Sequence, residues 1–377
     1  MSTRPLHPLW KVMGDFRGLA ILAVLVNHAA FLTMVQNLVP GKGLVPRPSG
    51  RFGPAPGMVA WIGIQELTRF AVPLFLFLAG HFAVRTTHSW KGIWSRSKKL
   101  LFPHISWSLV ALAWGWTWIP EMRWGAWEFL RRLVTGEALL GYFFTTLILQ
   151  LYLLSRWAVP WIRKSPNKVL LGSLLLQLLA MGWNYLALLV DLRGGSLPRV
   201  PEWAFPRFCF YFVLGAWVGV RTGFVKKILQ ERRKALFLLT LASAVLLLTE
   251  SRMVYDILVK QGRFPGLSIF FDALAPWKIT TALWVTGALF CCLALGLRHF
   301  PGTPLFRRLG NRAFQVYLLH APVLTALLKL IRSPGFPEIP PVLLFFLFFG
   351  GSLAGALAMD FLIRRWAPPL RLPFLGE

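Results

Sequence analysis

Apolar runs about as long as a bilayer is thick alternate with short, basic segments from one end of the chain to the other. Crossing a bilayer takes roughly 20 residues of helix. The pattern predicts ten membrane helices at 16–35, 58–83, 100–119, 138–157, 169–190, 204–221, 235–250, 279–298, 312–331 and 341–363. Pro and Gly at Pro40-Gly41, Pro160 and Pro301-Gly302 mark run ends, where breakers are tolerated near the interface. Trp90, Trp94, Trp127, Trp157, Trp161 and Trp366 fall near the same ends, as an aromatic belt does. The expected fold is all-α, a single polytopic transmembrane helix bundle spanning 1–377, with no repeat and no soluble appendage.

Orientation comes from the basic segments. With the N-terminus inside, most of the 41 Lys and Arg lie on the cytoplasmic side, as the positive-inside rule requires. An even number of spans then leaves both termini cytoplasmic. Composition changes the picture in one respect. A net charge of +27 would suggest nucleic acid in a soluble protein. Here, with 56% hydrophobic and 15% charged residues, the cations set topology and meet lipid headgroups, and no nucleic-acid partner is expected. Cys209, Cys291 and Cys292 match neither a disulfide framework nor a metal pattern.

Ionisable groups inside a bilayer are costly and are functional candidates by default. On the first run, Arg17 and His28 are eleven residues apart. In a helix that spacing returns to within about 20° of the same face, ~16 Å further along. A cation thus sits at the cytosolic mouth with an imidazole deeper on the same stripe. Two readings stay open for each: Arg17 anchors topology or holds a ligand, and His28 is a satisfied core histidine or a group for proton transfer. On the second run, Glu66 and Arg69 are spaced to pair, as a structural lock or as acceptor contacts, and Pro73 frees a carbonyl below them. His81 reads as a headgroup contact. Arg96, Lys98 and Lys99 read as an anchor or as a phosphate site at a helix start. Tyr317 and His320 share a face of the ninth run, as core polar groups or substrate contacts. The outside segments 36–57 and 251–278 are candidate covers for an acceptor site.

Three segments in order resemble the acyltransferase-3 family of membrane acyltransferases: Asp15-Phe16-Arg17-Gly18-Leu19-Ala20-Ile21 with His28, Arg69-Phe70-Ala71-Val72-Pro73-Leu74-Phe75 running to Ala79-Gly80, and Gly310 to His320. Two departures stand out. The family's Arg-x-x-Arg is Arg96-x-x-Lys99, which keeps charge but loses a bidentate fork. The family's Ser-Gly-Phe is Ala79-Gly80-His81, so His81 stands as a local substitute. The resemblance implies a multi-pass enzyme of a bacterial inner membrane. It would carry an acyl group, acetyl in the usual case, from cytosolic acyl-CoA to a glycan or lipid-linked saccharide, with no permanently bound cofactor. It implies His28 as the catalytic histidine, with Arg17, Arg96 and Lys99, and Lys98 beside them, at the CoA end. Acceptor contacts would fall to Glu66, Arg69, Tyr317 and His320, and Asn27 or Tyr317 would polarise the thioester. The competing expectation is a transporter or flippase for a lipid-linked or anionic substrate, which buried His, Arg and Glu also suit.

Overall fold

The structure, a computed structural model, describes residues 8–38, 57–86, 88–118, 125–260, 278–296, 303–333 and 335–377, with side chains from Asp15 onward except at 37–38, 114–118, 192, 258–260 and 303. Most of the segment 36–57 and the stretch 261–277 of the other candidate cover lie outside the described residues. Described residues outside loops and turns are helical: α1 Pro8–Leu38, α2 Met58–Thr68, α3 Ala71–Ala83, α4 Trp90–Trp118, α5 Ala126–Thr135, α6 Phe143–Lys164, α7 Pro166–Leu192, α8 Cys209–Val220, α9 Thr222–Glu231, α10 Arg233–Lys260, α11 Ile279–Gly296, α12 Thr303–Asn311, α13 Ala313–Ile331 and α14 Pro341–Trp366, followed by a short turn of helix at Arg371–Leu375.

Among the described residues, seven stretches are long and apolar enough to cross a membrane: Asp15–Gln36, Met58–Ala83, Pro166–Asp191, Arg233–Ile257, Ile279–Gly296, Ala313–Ile331 and Pro341–Trp366. The chain is a multi-pass integral membrane protein. The other three predicted segments fall on α4, α6 and the 12-residue α8. Leu171, Leu175 and Leu179 of α7, Leu238, Leu241 and Val245 of α10, and Phe346 and Phe361 of α14 face outward, where lipid tails meet apolar side chains at no cost. Trp90, Trp94, Trp127, Trp157, Trp161 and Trp366 are exposed at helix ends, as the belt requires.

α1 is the central helix. It packs against α2, α3, α12, α13 and α14, and Ala20, Ile21, Leu25, Ala29 and Ala30 are fully buried. Lipid supplies no hydrophobic drive between helices, so small residues that let backbones approach take over. α3 and α8 meet this way: a Cβ at Gly80 would strike the Phe212 carbonyl, and one at Gly215 the Phe77 carbonyl. Salt bridges close the inner end, from Arg307 to Asp15 (3.2 Å) and from Arg312 and Arg364 to the fully buried Asp360 (2.9 and 2.8 Å).

Several predicted boundaries are corrected. The run 58–83 breaks into α2 and α3 at Arg69–Phe70. Pro73, in the first turn of α3, has no N–H to return to the Arg69 carbonyl, and the turn closes through Leu74 N–H to Phe70 O (2.8 Å) instead. The run 138–157 starts late, at Phe143, because Gly141 takes φ +80° in the preceding turn. It continues through Pro160 to Lys164, held by the fully buried Val159 and Ile162. α4 starts at Trp90, so Arg96, Lys98 and Lys99 sit inside the helix and the free amides of its N-terminus are upstream of them. That removes the helix-start cradle expected for phosphate.

Candidate functional site

Two cavities of nearly equal volume, about 320 and 330 Å³, lie at opposite ends of α1 and α3 and share one wall. The wall is Phe75 of α3, Phe144 of α6 and Tyr317 of α13. The ring centroids of Phe75 and Phe144 are 5.8 Å apart, and those of Phe144 and Tyr317 are 5.3 Å apart and edge-to-face. The stripe predicted on α1 supplies both chambers: Arg17 lines one, and Val24, His28 and Phe31 line the other. The first is called inner and the second outer.

In the outer cavity His28 is half-buried and makes no hydrogen bond to a described residue. It stacks on His320 of α13, with centroids 5.2 Å apart and planes 23° from parallel. The Nδ1 of His320 lies 2.5 Å from the Tyr317 carbonyl oxygen. A carbonyl only accepts, so that nitrogen carries a proton, and in the neutral ring Nε2 holds the lone pair. Among the described residues Nε2 has no partner. Both Nε2 atoms converge on Gly141. A Cβ there would sit 3.1 Å from that of His28 and 4.0 Å from that of His320. The φ of +80° at Gly141 is also one that a side chain disfavours. Its carbonyl accepts from the Tyr317 hydroxyl (2.8 Å), which also meets Thr145 Oγ1 at 3.3 Å.

α2 forms another wall. The Asn27 amide donates to the Gln65 carbonyl (2.8 Å) and to Thr68 Oγ1 (3.1 Å), tying α1 to α2. Both its N–H groups are thereby committed, which leaves none for an oxyanion. Arg69 lines the cavity, whereas Glu66 does not. Glu66 is fully buried behind it, ion-paired to Arg69 Nε at 3.0 Å and to Lys278 Nζ at 2.9 Å. Lys278 also donates to Ser251 Oγ (2.6 Å). The pairing expected at this spacing exists, with Glu66 as the group that fixes Arg69. Glu202, on the segment before α8, reaches the same cavity and pairs with Arg207 at 3.5 Å.

The inner cavity has no Asp or Glu among its lining residues. The guanidinium of Arg17 lies 5.0 Å from the Phe82 ring centroid, and that of Arg96 lies 5.8 Å from that of Tyr152. Both are cation–π distances. His88, between α3 and α4, lies with Nε2 2.8 Å from the Ala83 carbonyl and Nδ1 3.2 Å from Ser155 Oγ. Burial, more than its neighbours Arg96 and Arg163, holds its pKa below the ordinary value. Gln315 lines the floor and is held by Glu377 (2.9 Å).

The structure therefore brings Arg17 with Arg96, and Asn27, His28, Arg69 and Tyr317 with one another, while His320 backs His28 from outside the cavity lining. It leaves Lys98 and Lys99 off the inner cavity. Arg96 and Leu100 present one face of α4, and the backbone of Lys99 packs against Gly376. His81 is fully buried against α8, beside Gly219, and lines neither cavity. Sequence reasoning missed Lys278, Gly141, Phe144, His88 and Tyr152. Lys278 carried a usable signal as a lone cation at the edge of an apolar run; Gly141 and the aromatics carried none.

A family model described as an acyltransferase domain matches residues 16–361. A curated relative, "Putative membrane-bound acyltransferase YfiQ" of Bacillus subtilis (strain 168), is 27% identical over 227 residues, covering 58% of this chain and 57% of its own length. The chain thus spans a little over half the length of the curated relative it matches. No solved structure matches. The matched region runs from the first residues of the α1 stripe to the inner end of α14 and includes both cavities, and the chain belongs to the acyltransferase-3 family.

Proposed function

We propose that the protein transfers an acyl group, acetyl in the simplest case, from cytosolic acyl-CoA to a hydroxyl of a glycan or lipid-linked saccharide. The observation that carries this reading is the shared wall: a cationic chamber without carboxylates and a histidine-bearing chamber meet at three aromatic rings. Acyl-CoA phosphates dock against Arg17 and Arg96, with the inner end cytoplasmic in a ten-span arrangement. The pantetheine arm crosses the ~16 Å between the levels of Arg17 and His28 and brings the thioester to the wall.

The acceptor occupies the outer cavity, where Phe31, Phe143 and Phe208 offer ring faces and Gln65, Thr68 and Arg69 offer polar groups. His28 takes the proton of the acceptor hydroxyl as its oxygen attacks the thioester carbon. The carbon–sulfur bond breaks, the thiolate recovers the proton, and the products are an ester and free CoA. Tyr317 is the polar group common to both chambers. Its hydroxyl exchanges the Gly141 carbonyl for the developing oxyanion. His320 keeps the His28 ring oriented, and Asn27 fixes α2 against α1.

The test is thiol release from acetyl-CoA by the purified chain, with and without a saccharide acceptor, alongside acetyl-CoA binding. Acceptor-dependent thiol release that His28→Ala abolishes while binding persists is the expected result. Substrate movement across vesicles without thioester turnover would replace this reading with transport.

A further inference from the structure

The outer cavity is lined by a buried cation, Arg69, whose terminal guanidinium nitrogens make no hydrogen bond to a described residue. Arg69 has a side chain only 8% exposed, and among the described residues it makes a single ion pair, through Nε to Glu66. It donates no hydrogen bond to any described residue, although it lines the cavity. The terminal nitrogens of its guanidinium offer four N–H donors in a planar fork. Removing such donors from water without an acceptor is costly.

The mounting is rigid. Glu66 is fully buried and spends one oxygen on Arg69 and the other on Lys278, which is itself anchored on Ser251. The other charges near this wall have partners of their own. Glu202 pairs with Arg207, and Glu250 accepts from Tyr185 (3.0 Å) and Thr280. A surface anchor or a simple structural lock needs no such cation in a cavity lining.

We infer that Arg69 is the recognition point for an anionic group on the acceptor, a carboxylate or a phosphate ester accepted by the guanidinium fork in bidentate fashion. This rests on the reading of the outer cavity as the acceptor site and narrows it: the acceptor is an acidic saccharide or one still attached to its lipid diphosphate. The anion fixes the saccharide at α2 and presents a hydroxyl to His28 on the neighbouring stripe of α1.

The experiment is calorimetric binding to the purified full chain, with CoA present throughout to occupy the inner cations. The probes are a methyl glucuronoside, the matching methyl glucoside and inorganic pyrophosphate. At least one anionic probe is expected to bind roughly tenfold or more tightly than the glucoside, the worth of one charged hydrogen-bonded contact. Arg69→Gln should erase that preference, Arg69→Lys should retain part of it, and Arg131→Gln, on α5 and outside the cavity lining, should leave it intact. Preference for the glucuronoside assigns a sugar carboxylate, and preference for pyrophosphate assigns a lipid-linked diphosphate. Should Arg69→Gln fail to fold, the double variant Glu66→Gln with Arg69→Gln leaves Lys278 the only charge of the trio and is measured in its place. Equal affinity for all three probes, a preference that survives loss of Arg69, or no probe binding to CoA-loaded protein overturns the inference. None of those outcomes touches acceptor-dependent thiol release, which tests the underlying reading separately.

Discussion

The two cavities handle charge in opposite ways. In the inner one, Arg17 forms no ion pair with a carboxylate among the described residues and rests on an aromatic face, and no acid lines the chamber. In the outer one, every charged side chain is matched, Arg69 by Glu66 and Glu202 by Arg207. A cation in a chamber that no carboxylate lines attracts a multiply charged ligand over nanometre distances and loses that pull with salt. A cation locked by a buried acid attracts weakly at long range but holds its direction. The difference separates recruitment from alignment along a single helix, since α1 contributes to both chambers.

The largest expected effect breaks the chambers apart functionally. His28→Ala should lower acyl transfer by roughly 10²–10⁴-fold, the range for a positioned general base, while acetyl-CoA binding measured by calorimetry stays near wild type. Arg17→Ala should do the reverse. Acetyl-CoA affinity falls ~10–100-fold, as loss of a charged contact implies, and the remaining affinity depends less steeply on ionic strength. If both variants lose binding equally, the chambers are not separate sites.

A smaller effect sharpens the outer chamber. Gly141→Ala forces a left-handed backbone on alanine, at roughly 1–2 kcal/mol, and sets a methyl group 3.1 Å from His28 Nε2. The expected result is a lower melting temperature together with a fall in turnover that exceeds the change in acetyl-CoA affinity.

Two pH effects are smaller still. His88 titrates below its ordinary 6.5 in the folded protein, so the unfolded chain takes up its proton first as pH falls. Stability should be level above about 6.5 and decline below it, and His88→Gln should flatten that slope in thermal unfolding. Outside both cavity linings, hydrogen bonds from Arg131 and Arg132 hold the partly exposed Glu128 carboxyl at about 2, against an ordinary 4.5. Its contribution is present above 4.5 and disappears as pH falls toward 2. Glu128→Gln should lower the melting temperature slightly at neutral pH, converge with wild type in acid, and leave acyl transfer unaltered.

What the sequence disclosed follows from periodicity and from the rarity of charge in lipid. Arg17 and His28 stood out because a helix stripe eleven residues long needs only the 3.6-residue repeat to be read. Glu66 and Arg69 paired as their spacing implied, but their separate duties were hidden, because Lys278 lies 212 positions from Glu66. No local pattern reveals a partner at that distance. Arg96 and Lys99 looked equivalent as a charged turn, and only tertiary packing separates them, with Arg96 in the lining of the inner cavity and Lys99 outside it. Gly141 looked like any turn glycine. Its importance comes from two histidines on helices 292 positions apart, a meeting that only tertiary packing produces. The helix count was harder for a similar reason: α8 is apolar but only 12 residues long, and hydropathy cannot distinguish a short buried helix from part of a span.

The wall of Phe75, Phe144 and Tyr317 also has an electrical consequence. With water or ligand filling the chambers on either side, the insulating thickness of the membrane shrinks locally from ~30 Å to the depth of these rings. The transmembrane voltage then drops mainly across that septum, where one elementary charge moved through the full potential changes energy by ~2.3 kcal/mol per 100 mV. Under the proposed mechanism, a CoA thiolate and an imidazolium formed on opposite sides of it would be charges separated along the field, and the membrane potential would then enter the energetics of each turnover.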